Sequence, residues 1–101
     1  MVAQVNNMVK VLLIKTEGCQ ACKIMEDILL EIKFVYKPTN DVDISICDKD
    51  FINKDILKIE NIKDFPTVLI YDNDCEESHT IVGTVPYKTI TSKIEEFRGI
   101  R

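Results

Sequence analysis

Two thiols stand at Cys19 and Cys22, with only Gln20 and Ala21 between them. Thiols at that spacing can close a small disulfide ring, and either one as a thiolate is a nucleophile toward another disulfide. The stretch Thr16-Glu17-Gly18-Cys19-Gln20-Ala21-Cys22 lies between a short apolar strand pattern and an amphipathic helix pattern. A cysteine placed where a helix begins faces unpaired backbone N–H groups and the positive end of the helix dipole, which favours thiolate over thiol. The chemistry to expect is therefore redox exchange, on firmer ground than for the same pair in a loop.

The remaining groups of this kind are scattered. Cys47 ends a strand pattern and reads as a small core hydrophobe. Cys75 falls in a polar turn and reads as an exposed thiol. Four sulfurs brought together would suit zinc, but the long separations in sequence argue against it, so no metal is expected. His79, the sole histidine, sits on an alternating segment as a structural or exposed residue rather than a catalytic base. Lys15 and Lys23 flank the pair, where a cation favours a thiolate and where a solubilising lysine is equally at home.

The dithiol must be held by the elements around it. Val9 to Lys15 reads as a strand with Val9, Val11 and Leu13 on one face and Leu12 and Ile14 on the other. Apolar residues on both faces imply a strand covered on both sides. From Cys22 the period becomes helical, with Ile24, Met25, Ile28, Leu29 and Ile32 as the apolar stripe, fading at Phe34 to Tyr36 before Pro38. Val42 to Cys47 alternates as a second strand. A helix near Asp50 follows, with Ile52, Ile56 and Ile59 at helical spacing beside Leu57. Pro66 precedes the apolar run Val68 to Tyr71, and Ser78 to Val82 returns as an antiparallel hairpin partner. Pro86 opens a last helix carrying Tyr87, Ile90, Ile94 and Phe97, which Gly99 can stop. The order is β-α-β-α-β-β-α, an α/β fold with a central mixed four-stranded sheet and helices on both faces; the two early crossovers are expected to place their strands parallel.

The chain has 101 residues, of which 46% are hydrophobic and 30% charged, with 3 Gly and 3 Pro. This suits one packed domain over 1–101, with 1–8 as a loosely ordered lead-in, and opposes disorder. A net charge of −4 disfavours nucleic acid, whose binding rests on phosphate neutralisation. The early apolar run Val11 to Ile14 is too short for a signal-peptide core or a membrane span. A cytoplasmic, reducing location without membrane attachment is expected, where closely spaced cysteines are reactive rather than structural.

From Val9 to Phe97 the residues resemble the thioredoxin superfamily. Cys19-Gln20-Ala21-Cys22 sits where that family carries its redox dithiol, and Cys22-Lys23-Ile24-Met25 with Ile28-Leu29 and Glu31-Ile32 is similar to the helix behind it. Phe65-Pro66-Thr67 before Val68-Leu69-Ile70-Tyr71 resembles the family's cis-proline loop and next strand, and Val82-Gly83 resembles the end of the last strand. There are departures. Gly18 replaces a tryptophan, Gln20-Ala21 replaces Gly-Pro, Leu13 replaces a buried acid that assists proton transfer, and Asp27 replaces a kinking proline. With so short a lead-in the core is glutaredoxin-sized, yet the glutaredoxin aromatic within the dithiol and its Gly-Gly-x-x-Asp are absent. Thr84-Val85-Pro86 spells the glutaredoxin proline motif but opens a helix, which leaves Pro66 as the active-site proline.

The resemblance implies a thiol–disulfide oxidoreductase that uses no separate cofactor. Cys19 would attack and Cys22 resolve, with Gly18, Gln20, Ala21, Phe65, Pro66 and Thr67 contacting the substrate. Protein disulfides would be the partners, and a reductase or glutathione the electron donor. A glutaredoxin-like, glutathione-dependent enzyme is one alternative. A thioredoxin-fold binding module with a vestigial dithiol is another, and a zinc-stabilised interaction domain a third.

Overall fold

The computed structural model describes residues 8–72 and 77–99. Cys75 and nearly all of the lead-in lie outside the described residues. The central strand is β1 (Val9–Lys15). It pairs parallel with β2 (Val42–Asp48) and antiparallel with β3 (Thr67–Asp72), which in turn pairs antiparallel with β4 (Ser78–Val82). The sheet order is β2-β1-β3-β4. Mixed pairing and helices on both faces agree with the sequence.

The two-faced pattern of β1 feeds two cores. Val9, Val11 and Leu13 join Met25, Leu29 and Ile32 of α1 (Gln20–Tyr36) and Ile90, Ile94 and Phe97 of α3 (Tyr87–Gly99). On the opposite face Ile14 packs with Leu69 and Ile62, and Leu57 of the short α2 (Lys54–Ile59) closes over them. Full burial of a Leu or Ile contributes about 1.5–3 kcal/mol, so the first cluster is the main source of stability.

Three expectations change. The α1 stripe is Cys22, Met25, Leu29, Ile32 and Tyr36, and Ile24 is 46% exposed. A helix lying on one sheet face buries a single stripe at steps of three and four, and Ile24 falls beside it. The helix expected near Asp50 is instead a 3-10 turn over Lys49–Phe51 followed by the six-residue α2. Asn53 starts α2 by accepting from the Asp55 amide at 2.7 Å, and Ile56 and Ile59 stay exposed while Ile52 and Leu57 pack inward. Cys47 is half-buried on β2 and belongs to neither core cluster. Gly99 is the last residue of α3 among the described residues.

The second crossover also differs, because β3 runs antiparallel to β1. A parallel entry would require the chain to travel back the full length of β2, about 23 Å for seven residues. The connection instead stays at the end of the sheet where β2 finishes, and Thr67 begins β3 opposite Ile14 near the end of β1.

The other end of the molecule is closed by a polar clamp. The Arg98 Nε donates to Asp41 at 2.9 Å, its other nitrogen donates to Glu95 at 2.8 Å, and the Tyr36 hydroxyl donates to Glu95 at 2.5 Å. Arg98 also covers the Tyr36 ring at 5.5 Å, a cation–π contact. Burial, then the hydrogen bond and charge of Glu95, push the Tyr36 phenol up to about 12.

Candidate active site

The dithiol forms where β1 hands over to α1. After Lys15 the chain turns through Gly18, whose φ of +73° is a left-handed conformation that glycine adopts without Cβ strain. Cys19 then takes an extended conformation as the residue capping α1, and its Sγ accepts the Cys22 amide at 3.0 Å. One of the unpaired amides at the helix start is thus directed at the Cys19 sulfur, as the helix dipole argument requires. Cys19 and Cys22 are joined as a disulfide. Their environments are unequal: Cys22 is 2% exposed, while Cys19 is half-exposed.

The second wall comes from the loop before β3. The Phe65–Pro66 peptide is cis, and the Phe65 carbonyl oxygen lies 4.0 Å from Cys19 Sγ. Two bonds hold this loop. The Gly83 amide donates to the Pro66 carbonyl at 2.8 Å, and the Thr67 hydroxyl donates to the Asp64 carbonyl at 2.5 Å. Pro66 and Thr67 are buried and Phe65 is half-buried. On the other side of the disulfide a cavity of about 520 Å³ is lined by Lys15, Thr16, Glu17, Gly18, Cys19, Cys22, Lys23, Glu26, Asp48, Asp50 and Phe51. Lys15 Nζ meets Glu26 Oε1 there at 3.1 Å.

No protein-family model matches the sequence, and no curated protein matches it. Solved structures do. Chloroplastic thioredoxin z superposes with a TM-score of 0.76 at 17% identity, over 91% of this chain and 80% of that one. Mitochondrial thioredoxin 3 from Saccharomyces cerevisiae, in its oxidised form, gives 0.71 at 23% identity, over 89% and 79%. A chain from work on thiol resolution in the yeast mitochondrial 1-Cys peroxiredoxin via glutathione/thioredoxin systems gives 0.70 at 22% identity, over 89% and 79%. This chain has a thioredoxin fold.

Within the thioredoxin fold, the sequence-derived residues divide into two groups. Gly18, Cys19 and Cys22 share the cavity, and Phe65 reaches Cys19 from the opposite side. Gln20 is exposed, Ala21 is half-buried, and neither lines the cavity; Pro66 and Thr67 are buried and also lie off it. Lys15, read either as a cation for the thiolate or as a solubilising side chain, lines the cavity with both cysteines and pairs with Glu26. His79 pairs with Ile70 within β4, away from the Thr67–Val82 end that faces the dithiol. Among the described residues, no group of three or more His, Cys, Asp or Glu side chains converges to hold a metal ion. Nor is any described helix long and apolar enough to cross a membrane.

The sequence reading missed Glu26, Asp48, Asp50 and Phe51 as neighbours of the dithiol. For Glu26 a signal existed, since it follows Cys22 by four residues and so shares its helix face. Asp48, Asp50 and Phe51 arrive through the pairing of β2 with β1, which puts Asp48 opposite Lys15. No local pattern encodes that.

Proposed function

We propose that this chain is a thiol–disulfide oxidoreductase acting on protein disulfides. The observation that carries this is a disulfide at the start of α1 with one half-exposed and one buried sulfur. In the reduced state the Cys19 thiolate, favoured by the Cys22 amide and the helix terminus, attacks a substrate disulfide. One substrate sulfur leaves with the bonding electrons, and a mixed disulfide to Cys19 remains. Cys22 then attacks Cys19 Sγ, expels the second substrate sulfur and closes the Cys19–Cys22 bond.

An extended substrate segment would lie along Gly18, Gln20, Ala21 and Phe65, with the buried Pro66 and Thr67 following Phe65 in the chain. Polar backbone groups beside a half-buried aromatic suit strand-like pairing with such a segment. A reductase, or glutathione, returns the two electrons. The exposed thiol would then work in a reducing compartment, which we take to be the cytoplasm.

The test is equilibration of the protein against defined glutathione and dithiol buffers, with thiols counted by mass. A reversible two-electron couple between about −270 and −200 mV, the range of known thioredoxins and glutaredoxins, is expected. With protein disulfide substrates, Cys22→Ser should accumulate the mixed disulfide and Cys19→Ser should form none. Failure of Cys19 and Cys22 to cycle between dithiol and disulfide would refute the proposal.

A further inference from the structure

The central strand β1 brings no carboxylate to the dithiol. Leu13, at the position where the thioredoxin superfamily carries its buried acid, is 0% exposed among apolar side chains. Resolution nevertheless requires Cys22 to lose a proton, and Cys22 is almost wholly shielded from bulk water. One turn further along α1 stands Glu26, and residues four apart on a helix have Cβ atoms about 5–6 Å apart on one face. Glu26 is anchored rather than loose. Lys15 at the end of β1 holds it at 3.1 Å, with the two side chains only 33% and 30% exposed.

Both partners line the cavity that contains Cys19 and Cys22. At about 520 Å³, with polar walls, it has room for water to link Glu26 to the Cys22 sulfur. The other charged groups facing it are Glu17 from the turn before Cys19, Lys23 from α1, and Asp48 and Asp50 from the end of β2 and the turn after it. Glu17 and Lys23 are exposed, and Asp50 is 76% exposed and drawn to Lys49 at 3.3 Å. Glu26 alone of these acids lies on the helix that carries Cys22.

Building on the exchange activity proposed above, we propose that Glu26, held in place by Lys15, is the proton acceptor for Cys22 during resolution. In the mixed disulfide the Cys22 thiol passes its proton through cavity water to the Glu26 carboxylate, and the resulting thiolate attacks Cys19 Sγ. The Cys19–Cys22 bond forms as the bond from Cys19 to the substrate sulfur breaks. That sulfur departs with the electron pair, and Glu26 gives up the proton to it or to solvent. The two cysteines are oxidised by two electrons, and the substrate disulfide is reduced. Lys15 is a positioning residue.

Stopped-flow mixing of the reduced full chain, in excess, with dithiobis(nitrobenzoate) separates the steps. The first coloured thiolate reports attack by Cys19 and the second reports attack by Cys22, with the Cys19–Cys22 product verified by mass. In Glu26→Gln the second release should slow about a hundredfold at neutral pH, the lower end of the range for losing a general base. Added imidazole should restore it in proportion to concentration. In the natural chain, imidazole at fixed pH should leave the second release unchanged.

A carboxylate acting only as a nearby negative charge predicts the opposite sign, because its removal eases ionisation of Cys22. A second release that is unchanged or faster in Glu26→Gln overturns the assignment, as does imidazole acceleration in the natural chain, which needs no variant. Absence of the first release from the natural chain would instead strike the exchange activity itself.

Discussion

Replacing Leu13 by Asp tests whether the sheet beneath the dithiol is as dry as the structure places it. Leu13 is fully buried in the main core. Truncating such a leucine costs about 2–5 kcal/mol through lost transfer energy and the cavity left behind. A carboxyl there adds a second penalty. Buried in apolar surroundings, it ionises roughly 3–5 pH units above its ordinary value, so it stays protonated in the folded chain while the unfolded chain ionises near ~3.9. Protons are then bound more tightly by the folded state, and stability falls as pH rises from about 4 toward neutrality. At about 1.4 kcal/mol per pH unit the loss reaches about 4 kcal/mol at pH 7. Urea denaturation of Leu13→Asp and Leu13→Asn at pH 4 and pH 7 isolates this part, since Asn shares the packing loss but does not titrate. The gap between the two variants should widen by about 4 kcal/mol on going to pH 7. Equal stability of the pair at both values would refute the reasoning, since the position would then be reached by water.

The Tyr36 phenol, pushed up to about 12 from its ordinary 10.0, stabilises the fold fully below pH 10 and loses that contribution as pH rises from 10 to 12. The loss, at most about 3 kcal/mol, should vanish from alkaline denaturation curves of Tyr36→Phe. Gly18→Ala meets nothing within 4 Å and a φ of +73°, so it should cost only the left-handed penalty of about 1–2 kcal/mol, read from a lowered urea midpoint at unchanged slope. Phe51 is 82% exposed on the cavity rim. Phe51→Ala should change stability by no more than about 0.5 kcal/mol and slow exchange with a protein disulfide several-fold, while leaving the rate with dithiobis(nitrobenzoate) unaltered.

What the sequence made legible follows from which forces act locally. β1 and β4 begin and end where alternation of side chains begins and ends, because each face of a strand meets a fixed environment. The dithiol was equally plain, since its position at a strand-to-helix junction is written in seven consecutive residues. α2 was harder. Isoleucine at 52, 56 and 59 imitates a helical stripe, yet Asn53 caps a helix that starts at Lys54, and Asn61 ends the segment at φ 56°. Asparagine competes for backbone hydrogen bonds and favours such boundaries, so capping defeats periodicity here. Cys47 shows a different failure. Its strand alternates correctly, but β2 is an edge strand, and an edge position receives cover from one side only.

The direction of β3 decides whether a site exists at all. Had the second crossover been parallel, Thr67 would begin at the Val9 end of β1 and the Phe65–Pro66 peptide would sit a strand length from the dithiol. Thr67 pairs with Ile14 instead, and the Phe65 carbonyl arrives 4.0 Å from Cys19 Sγ across 46 residues of sequence. The Gly83 amide then closes on Pro66, so the last strand also ends at the dithiol. The same end collects Asp48 from β2 and the Lys15–Glu26 pair from β1 and α1. The groups around the two sulfurs are thus gathered by where strands start and stop. That convergence depends on the direction in which β3 enters the sheet, which no local pattern encodes.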